Sequence, residues 1–474
     1  MGRRGTGRGG CGVGGRDGVT QDAIHVVGGG LAGSEAAFQL AARGHRVVLH
    51  EMRGAPGGRG TPAHRTEGLA ELVCSNTFKS TDVTNAHGLL KAEMRALGSI
   101  VLEAADAARI PAGTALAVDR ELFSAAVHAR VHAHPNITVV RDEVTMLPAV
   151  GIVATGPLTS DALADAIAAR VGARSLAFYD AIAPVIAAES IDTSVAFRAA
   201  RWGKETMEEA GPEGAYLNCP MDRAEYDAFI AAMTAADLYH SHAFEDIPYF
   251  EGCMPVEEMA RRGSETLRHG PMRPVGLRDP RTGRRPWAVL QLRQEDRAGR
   301  MWNLVGCQTR MRYPEQTAVF RLVPGLQHAE FLRFGSIHRN SYLNAPATLT
   351  PHLALRDSAT TLFAGQLTGV EGYTESTATG ILAAINLDRL VRGLAPVLPP
   401  PTTMLGALLR HLREADPAHF QPMNANFGLL EELPVPPRDK ALKRAQYAER
   451  ALRTLEDWRQ DSGVVRPPVA EAVP

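Results

Sequence analysis

Cysteine, lysine and long apolar runs are what this 474-residue chain has little of, and each shortage excludes something. Five cysteines (Cys11, Cys74, Cys219, Cys253, Cys307) are an odd number, spread along the chain without one CxxC pair. That argues against a disulfide framework and against a structural zinc site, and fits a reducing, cytoplasmic setting. No stretch of about 18 apolar residues occurs, so no membrane-spanning helix is expected. A surplus of charge is missing too. The 51 basic and 52 acidic residues leave a formal −1, so the whole molecule is not a polycation that coats nucleic acid indiscriminately. Lysine supplies only five of the basic residues. The resulting arginine bias would suit bidentate phosphate recognition, yet genomic base composition produces it more readily.

What is present is ordinary for a globular enzyme. Hydrophobic residues make up 45% and charged residues 22%, too apolar a mixture for a disordered scaffold, and the length suggests two or three domains. Residues 1–21, rich in Gly and Arg, read as a disordered tail; with no apolar core they are no secretory signal, and an RNA-touching arm is the alternative. An apolar strand at 23–27, a glycine turn, a helix expected over Ser34–Arg43 and a second strand at 46–50 form a βαβ unit. Further strands at 151–155 and 361–364 each run into a glycine turn, the second leading to a helix expected over Ser376–Val391. The fold class expected is α/β: a Rossmann-type nucleotide-binding domain, split in sequence, with an inserted α+β domain. Its first part is placed at 22–164, the insertion, on the substrate side, at 165–325, the second part at 326–440, and a C-terminal helix with a loose tail at 441–474. No internal repeat is visible.

Gly28-Gly29-Gly30-Leu31-Ala32-Gly33 is a GxGxxG pattern that follows a strand and opens a helix, with Glu51 closing the next strand. In that context the pattern is a strong dinucleotide signal. The first glycine makes the tight turn, Gly30 lets the backbone approach a pyrophosphate, and Gly33 lets helix and strand pack closely. The helix N-terminus presents N–H groups to the phosphates, and Glu51 is placed to accept hydrogen bonds from ribose hydroxyls. The second glycine turn, Gly365 to Gly372, favours a flavin lying extended between both segments over NAD alone, with the late helix aiming its positive end at the ring. Within that turn Glu371 and Tyr373 are candidate pocket residues; a surface carboxylate and a packed turn aromatic are the alternative. Asp119-Arg120 reads as a capping pair near the cofactor.

Residues 261–300 hold eleven arginines against four acids, a net +7 in a chain whose total is −1. Such a patch is the footprint of a phosphate backbone, with Arg261, Arg262, Arg268, Arg273, Arg284 and Arg285 as candidate RNA-binding residues. The competing reading is a solvated surface whose arginines pair with acids. Cys74, in LVCSNTFK, and Cys253, in the Gly- and Pro-bounded turn FEGCMPVE, stand in settings unlike those of ordinary buried thiols.

These stretches resemble the folate- and FAD-dependent tRNA (uracil-5-)-methyltransferases of bacteria. The resemblance covers about residues 23–440. It rests on VVGGGLAGSEAA (26–37), AELVCSNTFKS (70–80), YLNCPM (216–221), FEGCMPVEEMA (250–260), GPMRPVGL (270–277), NLVGCQT (303–309), HRNSYLNAP (338–346) and FAGQLTGVEGYTESTATG (363–380). Related flavoproteins that modify the wobble uridine share the glycine motif but lack the FEGCMPVE segment. The family implies 5-methylation of uridine 54 in the T loop of tRNA. Its carbon comes from 5,10-methylenetetrahydrofolate and its reduction from NADH or NADPH through FAD. A thiolate adding to uracil C6 makes C5 nucleophilic, a base then removes the C5 proton, and a hydride completes the methyl group. Cys253 is expected as the nucleophile because its segment adjoins the basic stretch, and Cys74, nearer the flavin segment, as acid/base or shield; the two roles can also be exchanged. Two rival readings remain: a flavin oxidoreductase acting on a small molecule, which leaves the +7 stretch idle, and a non-enzymatic tRNA-binding module that keeps FAD as structure.

Overall fold

The computed structural model describes residues 23–467, apart from 57–60, 62, 173–175, 205–213 and 240–253. The expected N-terminal tail and Cys253 therefore lie outside the described residues, as do the last seven. Two sheets organise the rest. The first has six strands in the spatial order 354–355, 358–363, 151–153, 24–27, 47–50 and 137–140. All neighbours in it run parallel except the first pair. Its strands Ile24–Val27 and Gly151–Val153 carry near-continuous apolar residues, as strands covered on both faces must. Residues 210 apart in sequence complete one sheet, so the Rossmann-type unit is split, with Leu362 beside Ile152.

Two helices cover the nucleotide side of this sheet: Leu31–Ala42 and Tyr373–Val391. Both begin one turn earlier than their composition suggests. The Ser34 N–H already bonds the Gly30 carbonyl at 2.9 Å, and the Ser376 N–H that of Gly372 at 2.9 Å, so the glycines themselves are the caps. The helices meet closely because Gly380 has no side chain; a Cβ there would stand 2.4 Å from the Ala32 carbonyl oxygen.

The second sheet is antiparallel throughout, in the order 197–198, 216–221, 288–294, 301–304, 185–187 and 331–333. It packs with the helices Arg223–Ala235, Val256–Arg261 and Tyr313–Phe320 around a separate core that includes Phe229, Leu290, Trp302 and Phe320. Its last strand, Phe331–Arg333, falls past residue 325, where the insertion was expected to close. A two-stranded ribbon, Leu176–Ile182 with Ser336–Tyr342, carries the chain out and back. One buried polar knot ties the two bodies together. The Asn76 amide donates to the carbonyls of Val118 (3.0 Å) and Gln294 (2.9 Å), and its oxygen accepts from Arg293 Nε at 2.8 Å. Among the described residues, no helix is long and apolar enough to cross a membrane.

Candidate functional site

A cleft of about 1010 Å³, open mouth included, runs along the carboxyl ends of the parallel strands, the usual ligand position in such sheets. One wall is Val27 to Ala32, and the opposite wall is Gly365, Gln366, Tyr373 and Ser376. The three motif glycines have three separate steric reasons. Gly28 holds φ at +103°, and a Cβ on it would lie 2.6 Å from the Ala154 carbonyl oxygen. Gly33 packs so tightly that a Cβ would overlap the Gly28 oxygen at 1.8 Å. At Gly30 a Cβ would meet nothing within 4 Å, so this is the point where the backbone lies bare to the cleft. The helix that starts there has neither a side-chain cap nor an acidic residue in its first turn, which leaves its N-terminus suited to phosphate. These features fit a bound dinucleotide such as FAD.

Glu51 lines the cleft, but its carboxylate is already engaged. One oxygen accepts from Gly29 N–H (3.0 Å) and an Arg53 guanidinium nitrogen (3.0 Å), the other from Arg53 N–H (2.9 Å) and Nε (3.0 Å). Burial alone would raise its pKa; the Arg53 bonds win and hold it below the ordinary carboxylate value. A ribose hydroxyl therefore competes with Arg53 for this acid. Arg53, itself buried, was not singled out from sequence, where one arginine after the strand carries no signal of its own.

Cys74 sits beside the cleft, one residue past Val73 in its wall. Its partner is Tyr373. The phenol oxygen lies 2.9 Å from Cys74 N, 3.2 Å from Ser75 N and 3.0 Å from Cys74 Sγ. Two backbone N–H groups can only donate, so they occupy both phenol lone pairs. The phenol's single proton then points at the sulfur. Burial first, and the charge of Cys74 second, push the Tyr373 pKa well above its usual 10, which keeps that proton in place as a donor. Arg120 anchors the same segment through the Leu72 carbonyl and pairs with Glu295 at 2.6 Å. Burial opposes the Arg120 charge, but Glu295, then Tyr373 and Cys74, keep the guanidinium ionised. The phenol proton and the Arg120 cation thus both stand close to this sulfur.

Behind Glu71–Val73 a second cleft, of about 1500 Å³, opens between the two bodies, with Arg65, Arg120, Glu295 and Arg333 in its walls. Burial pushes the Arg333 pKa down to about 10, with neighbouring Arg120 adding to the fall. Among the described residues its Nε and one terminal nitrogen have no hydrogen-bond partner.

Several expected site residues take other places. Glu371 does not line the cleft; it is buried, and accepts from the Gln366 amide at 2.8 Å, so Gln366 is the group presented to the cavity. Asp119 caps its helix as expected, accepting from Glu121 and Leu122 N–H at 3.1 Å, while Arg120 pairs with Glu295. The basic stretch is not one surface. Arg293 is buried in the Asn76 knot. Arg261, Arg268, Arg281 and Arg300 pair with Glu258, Glu265, Asp279 and Asp296. Arg268 also lies 3.7 Å over the Trp287 ring. Arg261, Arg262, Arg273, Arg284 and Arg285 are exposed. Cys219 and Cys307 are fully buried thiols, the former pushed up to about 12 by desolvation, as inert packing residues should be.

Residues 23–395 match the family profile of glucose inhibited division protein A. The chain is 55% identical over 438 residues to the methylenetetrahydrofolate–tRNA-(uracil-5-)-methyltransferase TrmFO of Geobacter sulfurreducens, covering 92% of this chain and 98% of that one. It is 52% identical over 443 residues to the protein of the same name from Desulforudis audaxviator, covering 93% and 99%. Among solved structures it is similar to Aquifex aeolicus GidA, with a TM-score of 0.65 at 15% identity over 94% of this chain and 74% of that one, a likeness of fold.

Proposed function

The chain belongs to the glucose inhibited division protein A family, and within it to the methylenetetrahydrofolate–tRNA-(uracil-5-)-methyltransferases, and on that premise we infer that it methylates C5 of a tRNA uracil, uridine 54 of the T loop. The carbon comes from 5,10-methylenetetrahydrofolate. FAD, when bound, supplies the hydride that completes the methyl group, drawn in turn from NADH or NADPH. The helix start at Gly30, with Leu31 and Ala32, is fitted to hold the cofactor's pyrophosphate, and Glu51 its ribose once Arg53 yields a bond. Gly365, Gln366 and Tyr373 would face the rest of it.

The observation that carries this reading is the Cys74–Tyr373 contact beside the dinucleotide cleft. Methylation at C5 needs a thiolate at C6 and a base at C5. Cys253 takes the first role in this reading. Cys74, in contact with the Tyr373 hydroxyl and close to the Arg120 charge, takes the second, accepting the C5 proton on Sγ as the thiolate. The partnerless fork of Arg333 in the adjoining cleft suits a carbonyl or anionic oxygen of a substrate. The uridine must leave its stack to reach the cleft, and the exposed arginines at 261, 262, 273, 284 and 285 would hold the tRNA backbone meanwhile. A cytoplasmic place follows from those substrates.

The experiment is direct. The purified yellow protein is incubated with unmodified tRNA, labelled methylenetetrahydrofolate and NADPH, and the label is mapped by nuclease digestion. Label at one T-loop uridine is expected, and its loss in Cys253→Ala. Label elsewhere overturns the target, and normal methylation by Cys253→Ala overturns the nucleophile.

A further inference from the structure

Trp202 is out of place by every ordinary rule. Its backbone lies in the left-handed region (φ 62°, ψ 19°), where a bulky side chain is strained, and its side chain is 68% exposed. The other three tryptophans are not: Trp302 and Trp458 are buried, and Trp287 lies under Arg268. Neither backbone nor burial rewards an indole at this position, yet the surroundings are built to display one. The Trp202 N–H bonds the Gly276 carbonyl at 3.1 Å. A Cβ on Gly276 would stand 2.9–3.0 Å from three atoms of the indole, so the ring lies directly on this bare glycine. Gly276 itself has φ +83°. Next door, Arg201 clips the two segments together, bonding Gln291 Oε1 at 2.9 Å and the carbonyls of Arg273 and Val275. The indole is thus seated on one side and open to solvent on the other.

Its neighbours on both segments are cationic and exposed: Lys204 beyond it, and Arg273 and Arg278 on either side of Gly276. An open aromatic face framed by exposed guanidinium and ammonium groups matches an unstacked nucleobase held by its phosphates. We propose that Trp202 is a stacking platform for one base of the RNA substrate, its strained turn fixing the ring beside a phosphate-binding rim. The proposal rests on tRNA being the substrate. It adds a contact that reads a base face, where the arginines read only backbone charge.

The test uses Trp202→Asn and Trp202→Phe in the full-length holoprotein. Asparagine accepts the left-handed backbone, so Trp202→Asn removes the ring without adding strain. It should bind unmodified tRNA about 5- to 150-fold more weakly at fixed salt, the loss expected for one stacked base, with its melting temperature held or raised. The slope of log Kd against log salt should stay at the wild-type value, because no phosphate contact is lost. Trp202→Phe should restore most of the affinity. In the wild-type protein, tRNA should quench the solvent-exposed tryptophan emission, and the quench should vanish in Trp202→Asn. Equal affinity of wild type and Trp202→Asn overturns the platform while leaving the methyltransferase reading intact. A wild-type protein that binds no tRNA fails that reading first. A Trp202→Asn variant that changes self-association but not tRNA affinity makes the ring a protein contact and also overturns the proposal.

Discussion

The two glycines Gly30 and Gly33 allow cofactor binding to be separated from folding by single methyl groups. In Gly30→Ala the added carbon meets no protein atom within 4 Å, and the backbone there (φ −75°, ψ −167°) suits any residue. Alanine is a poorer helix cap than glycine, so the apoprotein gives up roughly 0.5–1 kcal/mol and still folds. The methyl, however, stands where a pyrophosphate must approach the helix start. FAD affinity should fall at least about tenfold, equivalent to about 1.4 kcal/mol. Gly33→Ala does the reverse. Its Cβ would lie 1.8 Å from the Gly28 oxygen, so two backbone segments must part by roughly an ångström. Backbone cannot rotate away as a side chain can, and the cost sits at or above the ~3 kcal/mol end of overpacking. The helix propensity gained, about 1 kcal/mol, does not offset it. The assay is a pair of measurements on apoprotein: thermal unfolding, and titration with FAD followed by quenching of flavin fluorescence. Wild-type FAD affinity in Gly30→Ala would mean that no phosphate rests on this turn. An apoprotein Gly33→Ala that melts with the wild type would refute the packing argument.

Three further outcomes are expected. Tyr373→Phe leaves the Cys74 and Ser75 N–H groups without their acceptor, at about 1–3 kcal/mol each, and strips the sulfur of its donor. Alkylation of Cys74 by iodoacetamide, followed by peptide mass, should slow; an unchanged rate contradicts the proton assignment. Arg284→Ala and Arg285→Ala should each lower the tRNA salt slope by about 1, whereas Arg293→Ala should leave the slope alone and lower stability, since its guanidinium is buried on Asn76. Glu93 is fully buried, caps a helix by accepting from Met404 (2.7 Å) and Leu405 (2.8 Å) N–H, and burial raises its pKa from 4.5 to about 8. Between those values the native protein keeps a proton that the unfolded chain has released, so stability falls as pH rises through this window. Denaturant unfolding across the window should show that decline, and Glu93→Gln should flatten it.

The sequence carried the nucleotide half well because that half is local. The Gly28–Gly33 turn, its flanking strands and Glu51 sit within one βαβ unit, and their spacing alone encodes the geometry. The late strand and helix were legible for the same reason, each being a strand, a glycine turn and a helix in succession. What failed is what depends on which side chains the fold turns toward each other, whether they lie two residues apart or hundreds. Nothing near Glu371 signals that Gln366 covers it, and nothing near Glu51 signals that Arg53 saturates it. Counting charge along 261–300 treated a linear window as a surface, whereas the strand 288–294 passes through the interior and takes Arg293 with it. Tyr373 was visible as a pocket aromatic, but its bond to a cysteine 299 residues earlier was not.

That bond bears on the division of labour between the two cysteines. The segment around Cys74 is gripped from three directions: Arg120 holds the Leu72 carbonyl, Tyr373 holds the Cys74 and Ser75 N–H groups, and Asn76 is locked to Gln294 of the second sheet. A proton acceptor gains from such fixity, because transfer needs only hydrogen-bond reach. A nucleophile must bond to C6, follow that carbon as it becomes tetrahedral, and then withdraw. The grip on Cys74 therefore suits a base better, and the two assignments differ in what a single removal does. If Cys74 is the base, Cys74→Ala still lets Cys253 add to uracil C6 and lets C5 take the one-carbon unit, but the C5 proton stays, and a covalent protein–tRNA adduct accumulates. If Cys74 is the nucleophile, Cys74→Ala forms no adduct. Denaturing gels of each variant with labelled tRNA, methylenetetrahydrofolate and NADPH read this directly: a retarded band in Cys74→Ala and none in Cys253→Ala is the expected result, and the opposite pattern exchanges the roles.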